Sequence, residues 1–384
     1  PENMDYKEIL IRLFNLNIDN NESTDSIVEV GGEMTGDTGF LSFRRRLKIK
    51  KGDSMKRVFL KFNDTSRTDL GDLKQLSEVA NARECLFYGT FAPLLERTAS
   101  QLGFGSVGLP TVHLEMVLPT GTLIVMEDLG EAGFELAPAT MNVAEARCVL
   151  SSLARVQAAF LLTKARLGSP ASGLFGPQSP LSGGFKSTDV AGFDFAEMLP
   201  GCFEAFVREF PKYLKCEKRV AAINSYLNDD FVAKAQRYLK TNVTEKEGIG
   251  VTHCDLWYNN CMLSRDSSGH PVACRIIDWQ VFGIGSLAHD FGLLWLSSID
   301  NSIVIEQFFP FVKYYYDTIR RFFGDSSVQV DEFPVSLERM KQLAVESVLD
   351  AIIMTVVSVE ILPAIAKPDN WLANMADLIQ CFKL

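Results

Sequence analysis

Residues His253–Asn260 read HCDLWYNN, and a strand-like run at Ala273–Ile277 then leads into Asp278, Trp279 and Gln280. Phosphoryl transfer needs a carboxylate beside the attacking hydroxyl and oxygen ligands that hold Mg²⁺ against nucleotide phosphates. Asp255 fits the first role in this H-x-D-x-x-x-x-N pattern. Asn260 follows past one loop turn, and the polar turn Arg265–Gly269 allows a hairpin that folds Asp278 back toward it. Asn260 and Asp278 could together ligate a metal. A solvated Asp and Asn loop beside a buried strand is the plain alternative for each residue taken alone.

On these residues the chain resembles the choline kinase, aminoglycoside phosphotransferase and protein kinase superfamily. The local match is to the ecdysteroid kinase-like branch, also called CHK kinase-like. It is carried by His253, Asp255, Leu256, Trp257, Asn259 and Asn260, by Ile277, Asp278, Trp279 and Gln280, and by His289 and Asp290. The resemblance covers about residues 27 to 365, and its specific part is Val251–Leu294. It implies that Asp255 is the catalytic base, that Asn260 and Asp278 bind the metal, and that Asp290 is a buried aspartate supporting the catalytic loop beside His253. Asp290 also reads as a helix N-cap for Phe291–Ile299. The chain departs from the superfamily pattern at Cys254, where Gly is common, and at Gln157, where many relatives carry a helix His.

A kinase-like fold predicts further elements that must position these groups. Strands are expected at Ile27–Gly31, Leu41–Ile49 and Arg57–Phe62, then at Thr111–Leu118 and Thr122–Glu127. A helix over Leu73–Leu95 interrupts them until Pro93 disturbs it. Lys61 on the third strand would neutralise nucleotide phosphate charge, and Glu84 on the helix would hold its ammonium. Gly31 to Gly39, including Gly36 and Gly39, could cover phosphates with backbone N–H groups or form a plain hairpin. Glu127 and Leu129, where strand composition ends, are candidates for a hinge that pairs with adenine, or a simple connection.

After Asp128 the pattern turns helical, at Val143–Ala165, Phe193–Phe210, Arg219–Leu239, Ile303–Phe323, Leu337–Ile361 and Trp371–Leu384. Gly168–Gly192 is rich in Gly, Ser and Pro and reads as a long loop. The expected fold is α+β and two-lobed. Residues 1–129 form a five-stranded antiparallel sheet plus helix that binds nucleotide, and residues 130–384 form a mostly helical catalytic and substrate lobe.

Eleven residues separate Asp278 from Asp290 and no APE motif follows, so a peptide-docking activation segment does not fit. A small-molecule hydroxyl is the expected acceptor, with ATP and Mg²⁺ as cofactors. The resemblance suggests an ecdysteroid or another lipophilic alcohol. Choline-, ethanolamine- or aminoglycoside-type acceptors, or an inactive ligand-binding relative, are the alternatives. Trp279, Phe282, Trp295, Phe308, Phe309, Tyr314, Tyr315 and Ile352–Val357 could line an apolar pocket, although most must be core.

The net charge of −10 argues against nucleic acid or an anionic membrane as partner. Hydrophobic residues at 47% and charged residues at 22% are ordinary values, which excludes a disordered or fibrous chain. Eight scattered cysteines form no CxxC pair and read as reduced thiols, and the spacing of Cys254, Cys261 and Cys274 near His253 does not match a zinc site. Pro1–Leu10 lacks an apolar core of signal-peptide length, and Ala351–Val359 is far short of the roughly 20 residues of a membrane span. The expectation is a cytosolic protein with no membrane span. The sequons at Asn21, Asn63 and Asn242 read as chance occurrences.

Overall fold

The computed structural model describes residues 6–16, 26–29, 43–64, 73–103, 105–118, 121–167, 194–240, 248–324, 333, 335–359, 365 and 367–383. The glycine loop at 31–39, with Gly36 and Gly39, lies outside these residues, as do Gly168–Gly192, Asn21 and Asn242. The chain divides into two compact units, Pro1–Pro93 with Pro110–Phe134, and Leu94–Leu109 with Glu135–Leu384.

In the first unit, Ser26–Glu29 (β1), Phe43–Lys51 (β2), Ser54–Asp64 (β3), Val112–Leu118 (β4) and Gly121–Glu127 (β5) form one antiparallel sheet in the order β1-β2-β3-β5-β4. Lys51 pairs with Ser54, so β2 and β3 close through a two-residue turn. Gly52 takes its first position at φ +56°, the left-handed backbone such a turn requires. A helix at Tyr6–Phe14 (α1), not among the expected elements, buries Ile9 and Leu10 against Leu47, Ile49, Val58, Leu60, Leu123 and Val125. Asn63 is 1% exposed and donates to Thr122 Oγ1, which closes that sequon to modification.

The helix expected over Leu73–Leu95 is Leu73–Leu86 (α2), followed by a π-turn at Phe87–Phe91 and a further helix at Ala92–Gln101 (α3). Pro93 does not end the run. The Ala92 N–H bonds to Phe87 O across the wider turn, and the helix restarts with Pro93 in its first turn, where a missing N–H is tolerated.

The second unit is built on helices at Val143–Leu167 (α4), Phe195–Glu209 (α5), Glu217–Tyr226 (α6), Asp229–Leu239 (α7), His289–Ser298 (α8), Phe308–Gly324 (α9), Leu337–Val357 (α10) and Pro368–Phe382 (α11). The single helix expected over Arg219–Leu239 is broken because Asn228 turns extended and caps Phe231 N–H. The α4 helix opens with a capping box: Asn142 Oδ1 accepts Ala144 and Glu145 N–H, while Glu145 Oε2 accepts Asn142 N–H.

Every residue of α8 is buried. Gly292 lets α10 approach so closely that a Cβ there would lie 2.1 Å from Ser347 O. Among the described residues, α4 alone is long and apolar enough to cross a membrane by length and composition. Most of that window, 72%, is buried within the protein, as expected of a core helix.

Two small sheets flank the motif residues. Phe134–Leu136 (β6), Cys261–Arg265 (β8) and Pro271–Ile276 (β9) form one small sheet, and Ile249–Thr252 (β7) pairs antiparallel with Gly283–Ser286 (β10).

Candidate active site

The chain leaves β7 at Thr252 and turns sharply, with Cys254 at φ +65°. A side chain at that φ is strained, and two backbone N–H groups donating to the Asp290 carboxylate hold the turn there. Its Oδ2 accepts His253 N–H at 2.8 Å and its Oδ1 accepts Cys254 N–H at 2.9 Å. Asp290 is 2% exposed and lies in the first turn of α8, whose N-cap is Ala288. The carboxylate is therefore spent on the 253–254 turn, not on capping its own helix.

His253 is fully buried. Its Nε2 lies 2.8 Å from the Ile277 carbonyl, which can only accept, and its Nδ1 receives the Asp255 N–H at 3.2 Å. These partners define a neutral imidazole protonated on Nε2. His253 thus ties the backbone of Asp255 to the residue that precedes Asp278. Trp279 packs on the His253 ring at 4.6 Å and donates from Nε1 to Ile276 O, fixing the turn at Asp278, itself at φ +66°. Gln157 donates to Val251 O at 2.6 Å, so it braces β7 from α4.

The Asn260 amide nitrogen donates to Asp255 O at 2.7 Å and to Asp255 Oδ2 at 3.0 Å. The register of β8 with β9 extends one step, where Ile277 N–H donates to Asn260 O at 3.0 Å, and so places Asp278 next to Asn260 along the hairpin end. Asp255, Asn260 and Asp278 are thereby gathered by hydrogen bonds within one unit. Because Asn260 spends its nitrogen on Asp255, its Oδ1 is the atom left to meet a cation, and Asp278 adds a carboxylate. Two hard oxygens, completed by phosphate and water, are a set that Mg²⁺ takes, and the residues present fit that ion. Among the described residues no group of three or more His, Cys, Asp or Glu forms a metal cluster.

In the first unit, Lys61 on β3 reaches Glu84 on α2, with Nζ 2.7 Å from Oε2 and both side chains at most 5% exposed. At the end of β5 the ladder departs from regularity. Glu127 N–H donates to Thr111 O at 2.9 Å, but the returning Thr111 N–H goes to the Glu127 carboxylate at 2.7 Å, not to its carbonyl. Leu129 O accepts Phe134 N–H at 2.9 Å. Asp128 accepts Gly130 N–H at 3.0 Å and faces Arg46 at 3.5 Å, which fixes the turn that follows.

A model of the ecdysteroid kinase-like family matches residues 41–325. The chain belongs to the ecdysteroid kinase-like family. The family is kinase-like by its own description, and the described residues of this chain are α+β. No curated protein matches it. Among solved structures it is similar to a spectinomycin phosphotransferase in complex with ADP and spectinomycin, at 13% identity and TM-score 0.41, over 98% of this chain and 93% of that one. It is also similar to an aminoglycoside-3'-phosphotransferase of type VIII, at 14% identity and TM-score 0.34, over 85% and 93% of the two chains. A third is an aminoglycoside phosphotransferase from Streptomyces rimosus, at 14% identity and TM-score 0.33, over 91% and 98%.

Of the aromatic residues considered for an acceptor pocket in this kinase-like chain, Trp279, Phe282, Trp295, Phe308 and Tyr315 are at most 1% exposed and belong to the core, whereas Phe309 is 41% exposed. The partners of Glu127 and His253 carry no sequence signal, because Thr111 and Ile277 act only through their backbones.

Proposed function

We propose that this protein is an ATP- and Mg²⁺-dependent phosphotransferase acting on an alcohol group of a small molecule, an ecdysteroid or another lipophilic alcohol being the favoured acceptor class. The observation that carries the reading is the clamp of Asn260 on Asp255, which holds Oδ2 and orients the carboxylate at 3.0 Å. Oδ1 of Asp255 then takes the hydroxyl proton as the acceptor oxygen bonds to the γ-phosphorus and the bond to the bridging oxygen of ADP breaks. Asn260 Oδ1 and Asp278 would hold the metal ion, which when bound neutralises charge on the phosphates. Lys61, oriented by Glu84, would meet the α- and β-phosphates, and Glu127 and Leu129 the adenine.

A small acceptor is supported by the stretch between Asp278 and Asp290, which is used up by a tight turn and by β10. The family match supports the ecdysteroid class. An ATP-consumption assay against hydroxylated steroids, choline and sugars tests both parts. Asp255→Ala should abolish turnover and leave nucleotide binding intact, and activity that survives it ends this mechanism. Asp278→Ala should weaken Mg²⁺-nucleotide binding, and an unchanged affinity would remove Asp278 from the metal site.

A further inference from the structure

Within the helical unit, the N-terminal half of α4 and strand β9 form two walls of a half-open cavity of about 860 Å³. That volume lies in the range of small-molecule sites. Neither Asp255, Asn260 nor Asp278 lines it.

Its chemistry is cationic. Among the described residues, Arg147, Arg155 and Arg275 line it, and Asp300 is the one acidic lining residue. Asp300 spends its Oδ1 on Ser302, accepting the N–H at 2.9 Å and the hydroxyl at 2.5 Å. The Cys148 thiol on the same wall is pushed up to about 12 by burial, so it stays neutral and adds no negative charge. The lining is thus net positive in a chain whose formal charge is −10.

Two of the guanidiniums are held by rings. Arg147 lies over Phe311 at 5.8 Å and over Tyr314 at 5.5 Å, and Arg155 lies over Phe322 at 4.9 Å and donates to Ser106 O at 3.3 Å. Neither has a carboxylate partner among the described residues. A guanidinium stacked on a ring keeps its planar fork oriented for a dianion at little further entropic cost. The first N–H groups of α4, at Ala144 and Glu145, are spent on the Asn142 cap, so the charge of the cavity comes from the arginines.

We propose that this cavity is a second ligand site, which binds a small molecule through a phosphate group, apart from the residues assigned to phosphoryl transfer. A ligand there would also rest on β9, the strand that ends just before Asp278, so occupancy can reach the metal-binding turn through one continuous backbone.

Calorimetric titration of the full chain at low salt with inorganic phosphate, pyrophosphate and ribose 5-phosphate tests the site. Binding at millimolar concentrations is expected, weakened about ten-fold or more in Arg147→Gln and in Arg155→Gln, the loss of charge-assisted hydrogen bonds. Arg147 is exposed, so that variant should fold even where Arg155→Gln, which loses the Phe322 stack, does not. The double variant Lys61→Met, Glu84→Leu, which leaves no buried charge unpaired, should keep the binding that Arg147→Gln loses, because Lys61 belongs to the other unit. Equal affinity for phosphate and the ester would mean that the phosphate group alone is read; tighter binding of the ester would mean that the rest of the cavity takes part. The proposal is overturned if none of the three binds, if Arg147→Gln binds as the wild type does, or if the Lys61→Met, Glu84→Leu double variant alone loses binding. The last result would place the anion at the nucleotide site and leave the phosphotransfer reading standing.

Discussion

Lys61 Nζ lies 2.7 Å from Glu84 Oε2 with the two side chains 5% and 1% exposed. A buried ion pair adds little net stability over an apolar pair of similar size, because each charge loses its hydration, yet removing one partner leaves a charge with no compensation. The charge of Glu84 is felt locally: together with burial, the larger cause, it pushes the Cys85 thiol up to about 11. Glu84→Ala should therefore cost about 3–5 kcal/mol in chemical denaturation. The double variant Lys61→Met, Glu84→Leu should come within about 1 kcal/mol of the wild type and bind no nucleotide. A double variant as unstable as the single one would show that the pair serves the fold and not a ligand.

The turn at Cys254 inverts a familiar order of substitutions. A left-handed backbone at φ +65° costs a residue with a Cβ about 1 kcal/mol that glycine does not lose. Cys254→Gly should accordingly be more stable than Cys254→Ala by about that amount, although alanine is the better residue at most buried positions. Thermal unfolding of the two variants side by side decides it, and an alanine variant at least as stable as the glycine one would contradict the strained turn.

At the end of β5, the Thr111 N–H is held by the Glu127 carboxylate at 2.7 Å, which keeps it off the Glu127 carbonyl. In Glu127→Ala that N–H can close the regular ladder and occupy the carbonyl proposed to meet adenine. Nucleotide affinity should fall by about one hydrogen bond, roughly three- to ten-fold, with stability almost unchanged. Glu127→Gln retains Oε1 as acceptor and should bind as the wild type does. Equal affinity in all three proteins would exclude this carbonyl as a nucleotide contact.

The motif residues were legible because their chemistry lies in side chains at fixed spacing: Asp255, Asn260 and Asp278 sit on one loop and one hairpin, and the hairpin was readable from Arg265–Gly269. The pairing of Lys61 with Glu84 followed from strand and helix order. What holds these groups was not legible. Asp290 reads equally well as a helix cap until its carboxylate is seen on the 253–254 turn, and Thr111 acts through a backbone N–H that any residue would supply. The α1 helix carried a signal in the spacing of Ile9, Leu10 and Leu13, but the break at Asn228 and the π-turn at Phe87–Phe91 depend on tertiary packing that overrides a continuous helical period. The partner of His289, Asp350, and the donor to that carboxylate, Tyr238, come from helices remote in sequence.

That last group predicts a pH dependence. Asp350 Oδ2 lies 3.2 Å from His289 Nδ1 and accepts the Tyr238 hydroxyl at 2.7 Å. Burial works against a charge on His289, but the Cys254 sulfur and the Asp350 carboxylate outweigh it and raise its pKa well above 6.5. A group whose pKa is higher in the folded state contributes stability that is fully present below its unfolded value and is lost as pH rises through the folded value. The stability difference between the wild type and Asp350→Asn should therefore be largest below about pH 6.5 and shrink at alkaline pH. Urea denaturation across that range measures it. A difference that stays constant with pH would mean that His289 is neutral in the folded protein, and that the ring is held beside Cys254 by hydrogen bonding alone.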